Sequence, residues 1–390
     1  MAAPINNQSI KTFTGLCMNV NNMIGSGIFS TSGLIWYLTG SGGMTLCLYI
    51  IGFLFSLMGS FIYVELGSNI PESGGEQRYL ERSFPNPNRL IGYIFSFCTI
   101  TGAIVTDVII ASEYIIYAKT NDTTTLNPEG YTLTLLIISI IGLAEITKNP
   151  GKLTWNAMFS GTKGLDNFGN YCSSMLQVLF AYEGWNNLNY SLSEMNDAPR
   201  RLKISNPFSV VLVSILYILG ILSFITIVDH DEAHRGTYKE IMSATIGDVI
   251  DFRRGLSILI ALSSIGASAS MVWSGSRIIA SAADSDFIPY FSPLLREFLN
   301  GPNIIIRILG NPNGNNVDGR HDAPIVLITM TQYSALIFFG LSALGLLVLR
   351  NRRQLRNDLF KVPEIIVYLF LAITAIICIG AFVPAETADS

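Results

Sequence analysis

Long uncharged stretches separated by short polar loops dominate the chain. From Thr12 to Val64 there is no charged side chain, and Gly40, Gly42 and Gly43 mark the only obvious turn, so two helices of about 20 residues fit there. Further uncharged runs cover Ile204 to Val228, Gly255 to Ser276, Ala323 to Leu349 and Ile365 to Ala385. Each is long enough to cross a hydrocarbon core of roughly 30 Å as a helix. Leu90 to Ala118 is a further apolar run, interrupted by Asp107 and Glu113, and Gly130 to Ala144 is shorter. The pattern predicts an all-α integral membrane protein with one membrane domain over residues 1–390. Its expected spans lie near 12–38, 43–64, 90–118, 130–146 (partial), 172–195, 205–228, 255–282, 323–349 and 363–385. Loops rich in Pro, Gly and charge are expected at 65–89, 196–207, 284–322 and 350–362.

Two of these spans are interrupted by residues that fit poorly in hydrocarbon. The first holds Asn21-Asn22-Met23-Ile24-Gly25-Ser26-Gly27-Ile28-Phe29, in which two glycines bracket a serine. Glycine costs about 1 kcal/mol relative to alanine inside a helix, and unwound backbone at membrane depth survives only where it lines a cavity or meets a ligand. A half-helix starting there offers free N–H groups and a positive dipole end, suited to a carboxylate. Close helix packing through small residues accounts for the same motif. The second stretch, Leu179-Phe180-Ala181-Tyr182-Glu183-Gly184-Trp185-Asn186-Asn187-Leu188-Asn189, sets an acid, a glycine and three asparagines in an apolar helix. An intramembrane Glu is a functional candidate by default, which singles out Glu183. Tyr182 and Trp185 suit packing or an interface, and Phe180 suits a gate. Two interrupted spans in corresponding positions of two halves point to a binding site between inverted repeats.

Composition agrees with lipid as solvent: half of the 390 residues are hydrophobic, 13% are charged and mean hydropathy is +0.44. The net charge of -4 says little, because the placement of Lys and Arg orients a membrane protein. Arg78, Arg82 and Arg89, then Arg200, Arg201 and Lys203, then Arg350, Arg352, Arg353, Arg356 and Lys361 assign their loops to the cytoplasm. The acidic stretch Asp229 to Asp251 then faces outward, and the N-terminus is cytoplasmic. A short polar N-terminus without a cleavage-site pattern leaves targeting to the first span. Cys17, Cys47, Cys98, Cys172 and Cys378 fall in or beside apolar segments and read as small core residues without a disulfide framework.

Counting crossings between these loops gives a conflict. Three apolar segments separate the 65–89 loop from the 196–207 loop, where an even number is needed. The Gly130 to Ala144 run reaches only about 22 Å. A single run likewise separates the 284–322 loop, with Arg296, Arg307 and Arg320, from the basic cluster at 350–361. Either the chain lacks segments of a complete relative, or it contains re-entrant or fused helices.

The motifs G-S-G-I-F at 25–29, E-L-G-S-N-I-P-E-S-G-G-E at 65–76, F-A-Y-E-G-W-N-N-L-N at 180–189 and S-G-S-R-I-I-A at 274–280 occur in one order. In that order they resemble the L-type branch of the amino acid-polyamine-organocation (APC) superfamily, and fungal high-affinity methionine permeases most of all. The resemblance implies a twelve-helix inverted-repeat transporter fold with helices 1 and 6 broken, of which about 9 are present here. Against that pattern the chain lacks most of the fourth helix or the start of the fifth, fuses the ninth with the tenth and stops after the eleventh. It implies that the backbone amides of Gly25, Ser26 and Gly27 meet a substrate carboxylate. The ammonium group then meets carbonyls near Met23 and Ile24 and near Phe180 and Ala181, with Tyr182 and Gly184 beside them. Pro71, Glu72, Ser73, Gly74, Gly75 and Glu76 then belong to a short cytoplasmic helix region after the second span that takes part in inner gating, although an ordinary Pro/Gly turn fits the residues too.

The expected function is secondary active transport of neutral, methionine-like L-amino acids, with Glu183 as the candidate proton carrier and the plasma membrane as its place. A transport-dead or truncated amino acid-binding membrane protein, with a sensing role or with no role, is the alternative. The L-type branch of animals carries a partner cysteine in the loop after the third span, and residues 119–130 hold none, so no disulfide-linked heavy chain is expected. Asp107 and Glu113 lie about 600° apart around a helix and do not form one site. His230 and His234 have metal-compatible spacing but sit in an acidic, solvated stretch, and Asn121-Asp122-Thr123 matches a glycosylation acceptor. No phosphate-binding loop, catalytic triad or zinc-ligand set occurs, so no enzyme activity, cofactor, metal or nucleic-acid partner is expected.

Overall fold

A computed structural model describes residues 10–86 except Ser26, then 91, 92, 94, 95, 150–161, 168–227, 275, 278 and 323–380 except Asn357. The described residues form α1 (Thr12–Met23), α2 (Gly27–Thr39), α3 (Gly42–Asn69), α4 (Glu76–Ser83), α5 (Trp155–Phe159), α6 (Phe168–Ala181), α7 (Ala198–Ile227), α8 (Ala323–Asn351) and α9 (Glu364–Gly380). Two 3₁₀ segments, Pro150–Leu153 and Asn187–Glu194, complete them, and no strand occurs among the described residues. The helices Gly42–Asn69, Ala198–Ile227 and Thr331–Asn351 are long and apolar enough to cross a membrane, and Glu364–Gly380 is a shorter apolar helix.

The glycine turn lies where the sequence places it. Gly40 closes α2 with φ 77°, and Ser41 caps α3 by accepting a hydrogen bond from the Met44 N–H at 3.2 Å. Aromatic contacts hold the helices around one core: Trp36 meets Phe224 at 5.3 Å between α2 and α7, and Phe55 stacks on Phe370 at 4.4 Å between α3 and α9. Outside, Ile50, Ile51 and Leu54 on α3, Phe208 and Ile215 on α7 and Ile365, Leu369, Ile376 and Ile379 on α9 are exposed. So many large apolar side chains facing outward require lipid.

One end of the bundle gathers the basic loops. Arg350 of α8 donates Nε to Glu65 Oε1 of α3 at 2.9 Å and a second hydrogen bond to Oε2, so the pair is bidentate. Arg350 also donates to the Val362 carbonyl at 2.7 Å, while the Val362 N–H donates to Glu65 Oε2 at 2.7 Å. The Arg356 N–H reaches Asn69 Oδ1 at 2.8 Å, Arg352 donates to the Ser83 carbonyl at 3.1 Å, and Lys203 lies over the Phe360 ring at 5.3 Å. Residues 10, 70–84, 194–203 and 350–362 thus share one end, as the distribution of Lys and Arg predicts for three of the loops.

Several expectations are corrected. The loop at 196–207 is helical from Ala198: Pro199 sits in the first turn, where a missing N–H costs nothing, and Pro207 forfeits one hydrogen bond within an otherwise continuous helix. Cys17 is exposed on α1 and is not a core residue. α8 is one continuous helix of 29 residues ending in the basic cluster, so Ala323 starts at the opposite end. The chain also leaves residue 86 at the basic end, whereas α5 packs against Gly43 at the other end. This confines the first crossing conflict to 87–149. The span expected at 130–146, all of 90–118 but residues 91, 92, 94 and 95, and nearly all of 255–282 lie outside the described residues, as do Cys98, Asp107, Glu113, His230 and His234.

Removing one partner of a buried ion pair costs about 3–5 kcal/mol, whereas replacing both by apolar groups is far milder. Glu65→Leu or Arg350→Met alone should therefore lower the melting temperature of the solubilised protein sharply, and the double variant should recover at least half of the loss. Equal losses in all three, read by thermal shift with size-exclusion detection, would contradict the pairing.

Candidate functional site

Both interrupted spans are broken, and the breaks touch. α1 stops at Met23: Ile24 leaves helical geometry at φ -80°, ψ 74°, its N–H still bonds to the Val20 carbonyl at 2.9 Å, and the Gly25 N–H turns back to the Met23 carbonyl at 2.9 Å. α2 begins at Gly27. A Cβ on Gly27 would stand 2.6 Å from Ala181 Cα, so only glycine lets the two breaks meet. α6 stops at Ala181, the Glu183 N–H bonds back to the Phe180 carbonyl at 3.1 Å, and Gly184 takes φ 109°. A Cβ on Gly184 would lie 2.4 Å from the amide nitrogen of Asn22. Gly27 is thus brought against Ala181 and Gly184 against Asn22, and Met23 and Ile24 share one buried core with Phe180, Ala181 and Tyr182. Ser26 lies outside the described residues.

Tyr217 of α7 ties the two breaks together. Its hydroxyl lies 2.6 Å from the Met23 carbonyl and 2.7 Å from the Ala181 carbonyl. These are terminal carbonyls of α1 and α6, the negative dipole ends of both helices. A hydroxyl has one hydrogen, so it satisfies one carbonyl at a time. The Tyr49 and Tyr182 rings pack edge-on or tilted around Tyr217, at 6.1 and 5.1 Å. Tyr49 shares a hydrogen bond with Ser32 at 3.0 Å, and Tyr182 donates to the Tyr49 carbonyl at 3.2 Å.

A chain of asparagines holds the backbone beyond the second break. Asn19 accepts from the Leu188 N–H at 3.0 Å and donates to the Trp185 carbonyl at 3.1 Å and to Asn206 Oδ1 at 2.9 Å. Asn206 passes to Asn189 at 2.8 Å, and Asn189 donates to the Tyr63 carbonyl at 3.0 Å and the Tyr79 hydroxyl at 2.8 Å. Asn22, at the break itself, keeps a buried amide oxygen with no hydrogen-bond partner. Glu183 accepts from the Gln332 amide of α8. Trp185 packs on Tyr63 and Phe339.

The expected gate motif adjoins the segment after the second break. Pro71 is exposed in the approach to α4, the Gly74 N–H donates to the Tyr190 carbonyl at 3.2 Å, Ser73 shares a hydrogen bond with Ser193, and Gly75 takes φ 53° as the N-cap of α4. The described residues hold no cluster of His, Cys, Asp and Glu able to bind a metal.

A family model described as amino acid permease matches residues 10–147 and 130–390. The chain belongs to the amino acid permease family. Among its relatives, the high-affinity methionine permease of Saccharomyces cerevisiae is 25% identical over 95% of this chain and 72% of the relative. The b(0,+)-type amino acid transporter 1 of Mus musculus is 25% identical over 95% of this chain and 83% of the relative. The alignment with the yeast permease runs over 429 positions, 39 more than the 390 residues of this chain, so that relative holds internal segments without a counterpart here. The solved structure of MhsT in complex with L-phenylalanine shares the fold at TM-score 0.58 and 14% identity, over 94% of this chain and 98% of that one. A manganese transporter of Eremococcus coleocola shares it at TM-score 0.59 and 14% identity, over 95% and 86%. The permease-family chain therefore has an APC-superfamily-like transporter fold with a partial set of helices, and transport without catalysis is the family's business.

The sequence reading missed Tyr217, Asn19, Asn22 and Asn206 at this site. Each is a polar side chain inside an uncharged run, and that is the signal that marks them. Tyr217→Phe leaves two buried carbonyls without their shared donor and should destabilise the protein by about 1–3 kcal/mol. Tyr182→Phe removes one longer bond and should cost less. A reversed order in thermal melts would show that the hydroxyl does not hold the breaks.

Proposed function

We propose that this chain is a secondary active carrier of neutral L-amino acids, methionine-like in preference, working by alternating access around the two breaks. In this reading residues 1–390 form a single membrane domain built on inverted repeats, in the plasma membrane, with the basic end and the N-terminus in the cytoplasm. The observation that carries it is the Tyr217 hydroxyl within 2.7 Å of both the Met23 and the Ala181 carbonyl. An amino acid is a zwitterion, and both of its charges find a counterpart here. The ammonium group is served by the carbonyl ends of α1 and α6, one of which always lacks the Tyr217 hydrogen, and by the unpartnered Asn22 oxygen. The carboxylate is served by the amides of Ser26 and Gly27 at the start of α2, and by that of Gly25 once it releases the Met23 carbonyl. Likeness to the high-affinity and low-affinity methionine permeases of Saccharomyces cerevisiae supports the substrate class.

Proton coupling through Glu183 completes the reading. The carboxyl stands next to Gly184 at the second break and is bonded to an uncharged amide, so it can hold or release a proton without breaking an ion pair. The segments that the yeast relative has and this chain lacks favour a second reading, an amino acid-binding membrane protein that does not transport.

Expression in a permease-deficient fungal host decides between them. Saturable uptake of radiolabelled methionine that rises as external pH falls is expected, and Glu183→Gln should keep methionine binding while flattening the pH dependence. Binding without uptake establishes the second reading, and full pH dependence in Glu183→Gln removes that residue's role.

A further inference from the structure

At the basic end, α4 lies against the Asn187–Glu194 segment along a narrow seam. Three interactions close it: the Asn186 amide donating to Glu76 Oε1 at 2.5 Å, the Gly74 N–H donating to the Tyr190 carbonyl at 3.2 Å, and the Ser73–Ser193 hydrogen bond. Glu76 is fully buried at the start of α4, and the neutral hydroxyls of Tyr63 and Tyr190 stand with the Asn186 amide around its carboxyl. Asn186 also donates to the Tyr190 hydroxyl at 3.1 Å.

The surroundings of this carboxyl contain no cation among the described residues. Tyr63 faces it from α3, Tyr79 from its own helix, Tyr190 from the 3₁₀ segment and Glu183 from the second break. On α4 itself Arg78 pairs with Glu72 and Glu81, and Arg82 with Glu72. From α8, Arg350 is bound to Glu65, and Arg352 donates to the Ser83 carbonyl. A buried carboxylate with only neutral donors and a like charge for company is costly, and water or a proton relieves it.

We propose that Glu76 is a proton-operated latch: protonated, it keeps α4 seated on the segment after the second break, and deprotonated, it opens that seam to water. The O–H bond of the carboxyl breaks and the proton passes to water entering the seam, so release of a proton and opening of the basic end are one event. Burial raises the proton affinity of Glu76 above that of an ordinary carboxyl in the closed state, and opening restores the ordinary value. The closed state binds the proton more tightly. It is therefore favoured at low pH and loses that advantage as pH climbs from the ordinary carboxyl range towards the raised value. This deepens the proposed function and rests on its alternating access, but assigns the release step to a residue other than Glu183.

Accessibility of the seam tests it without requiring transport. Ser191, buried in the 3₁₀ segment, is replaced by cysteine in the full chain lacking its five native cysteines, and labelling by a hydrophilic maleimide is followed from pH 5 to 7 in solubilised protein, corrected for thiolate fraction with a small thiol. One pH unit between the closed and open affinities corresponds to about a tenfold change in the opening equilibrium. Labelling should rise with pH when Glu76 is present or replaced by Asp, and stay flat in Glu76→Gln, whereas Glu183→Gln should retain the rise. Matching elution profiles and melting temperatures confirm that the variants fold. An unchanged rise in folded Glu76→Gln overturns the latch and leaves the carrier reading standing. Loss of the rise in Glu183→Gln alone moves the role to that residue. A flat profile with both carboxyls intact overturns the latch, while methionine uptake judges the carrier reading separately.

Discussion

The structure turns on one shared proton donor, the Tyr217 hydroxyl, placed between the last carbonyls of two helices that stop at membrane depth. An unwound backbone in lipid leaves amides and carbonyls with no water to bond, at several kcal/mol for each group left alone. The chain meets this by making the two breaks face each other and by bringing polar side chains from unbroken neighbours. Tyr217 comes from α7 for the carbonyls, and Asn19 from α1 for the Leu188 amide and the Trp185 carbonyl. The Met23 carbonyl also accepts from the Gly25 N–H at 2.9 Å, so the hydroxyl is free to serve the Ala181 carbonyl, and the Asn22 oxygen is left without a partner where the breaks meet.

Sequence and structure agree best where the chemistry is local. Gly25 and Gly27 and the Tyr182–Gly184 stretch announce breaks because glycine propensity and intramembrane polarity are properties of a few neighbouring residues. The Gly40 turn and the short helix after the Pro71 to Gly75 motif are legible for the same reason. Tyr217 and the Asn19–Asn206–Asn189 chain are not, since their roles depend on partners 17 to 194 residues away. The same limit explains the loop expected at 196–207. Charge and proline suggested an irregular segment, yet Pro199 falls where a helix tolerates it and the apolar contacts of Leu202 carry the helix down to Ala198.

The crossing conflict takes on physical content once ends are assigned. Residue 86 leaves from the basic end and α5 reappears at the other, so whatever lies between must change sides. The alignment with the yeast relative is longer than this chain, so that relative carries positions with no counterpart here. Contacts around the described parts of the breaks come from α1, α2, α3, α6 and α7 and, through Gln332 and Phe339, from α8.

Two buried carboxylates at the basic end show how differently one group can be used. Glu65 meets a guanidinium in a bidentate pair and also accepts from the Val362 N–H, so its charge is neutralised and its oxygens are occupied. Such a group locks α3, α8 and the entry to α9 into one body, and exchanging a proton there would require breaking the pair. Glu76, seven residues beyond the end of α3, is given only amide and phenol neighbours. Among the described residues no cation compensates a negative charge there, which ties its ionisation to the entry of water. The contrast separates a fixed part of the basic end, built on Glu65, from a part able to move, built on Glu76. In the proposed latch, opening at the basic end runs along the second and leaves the first in place.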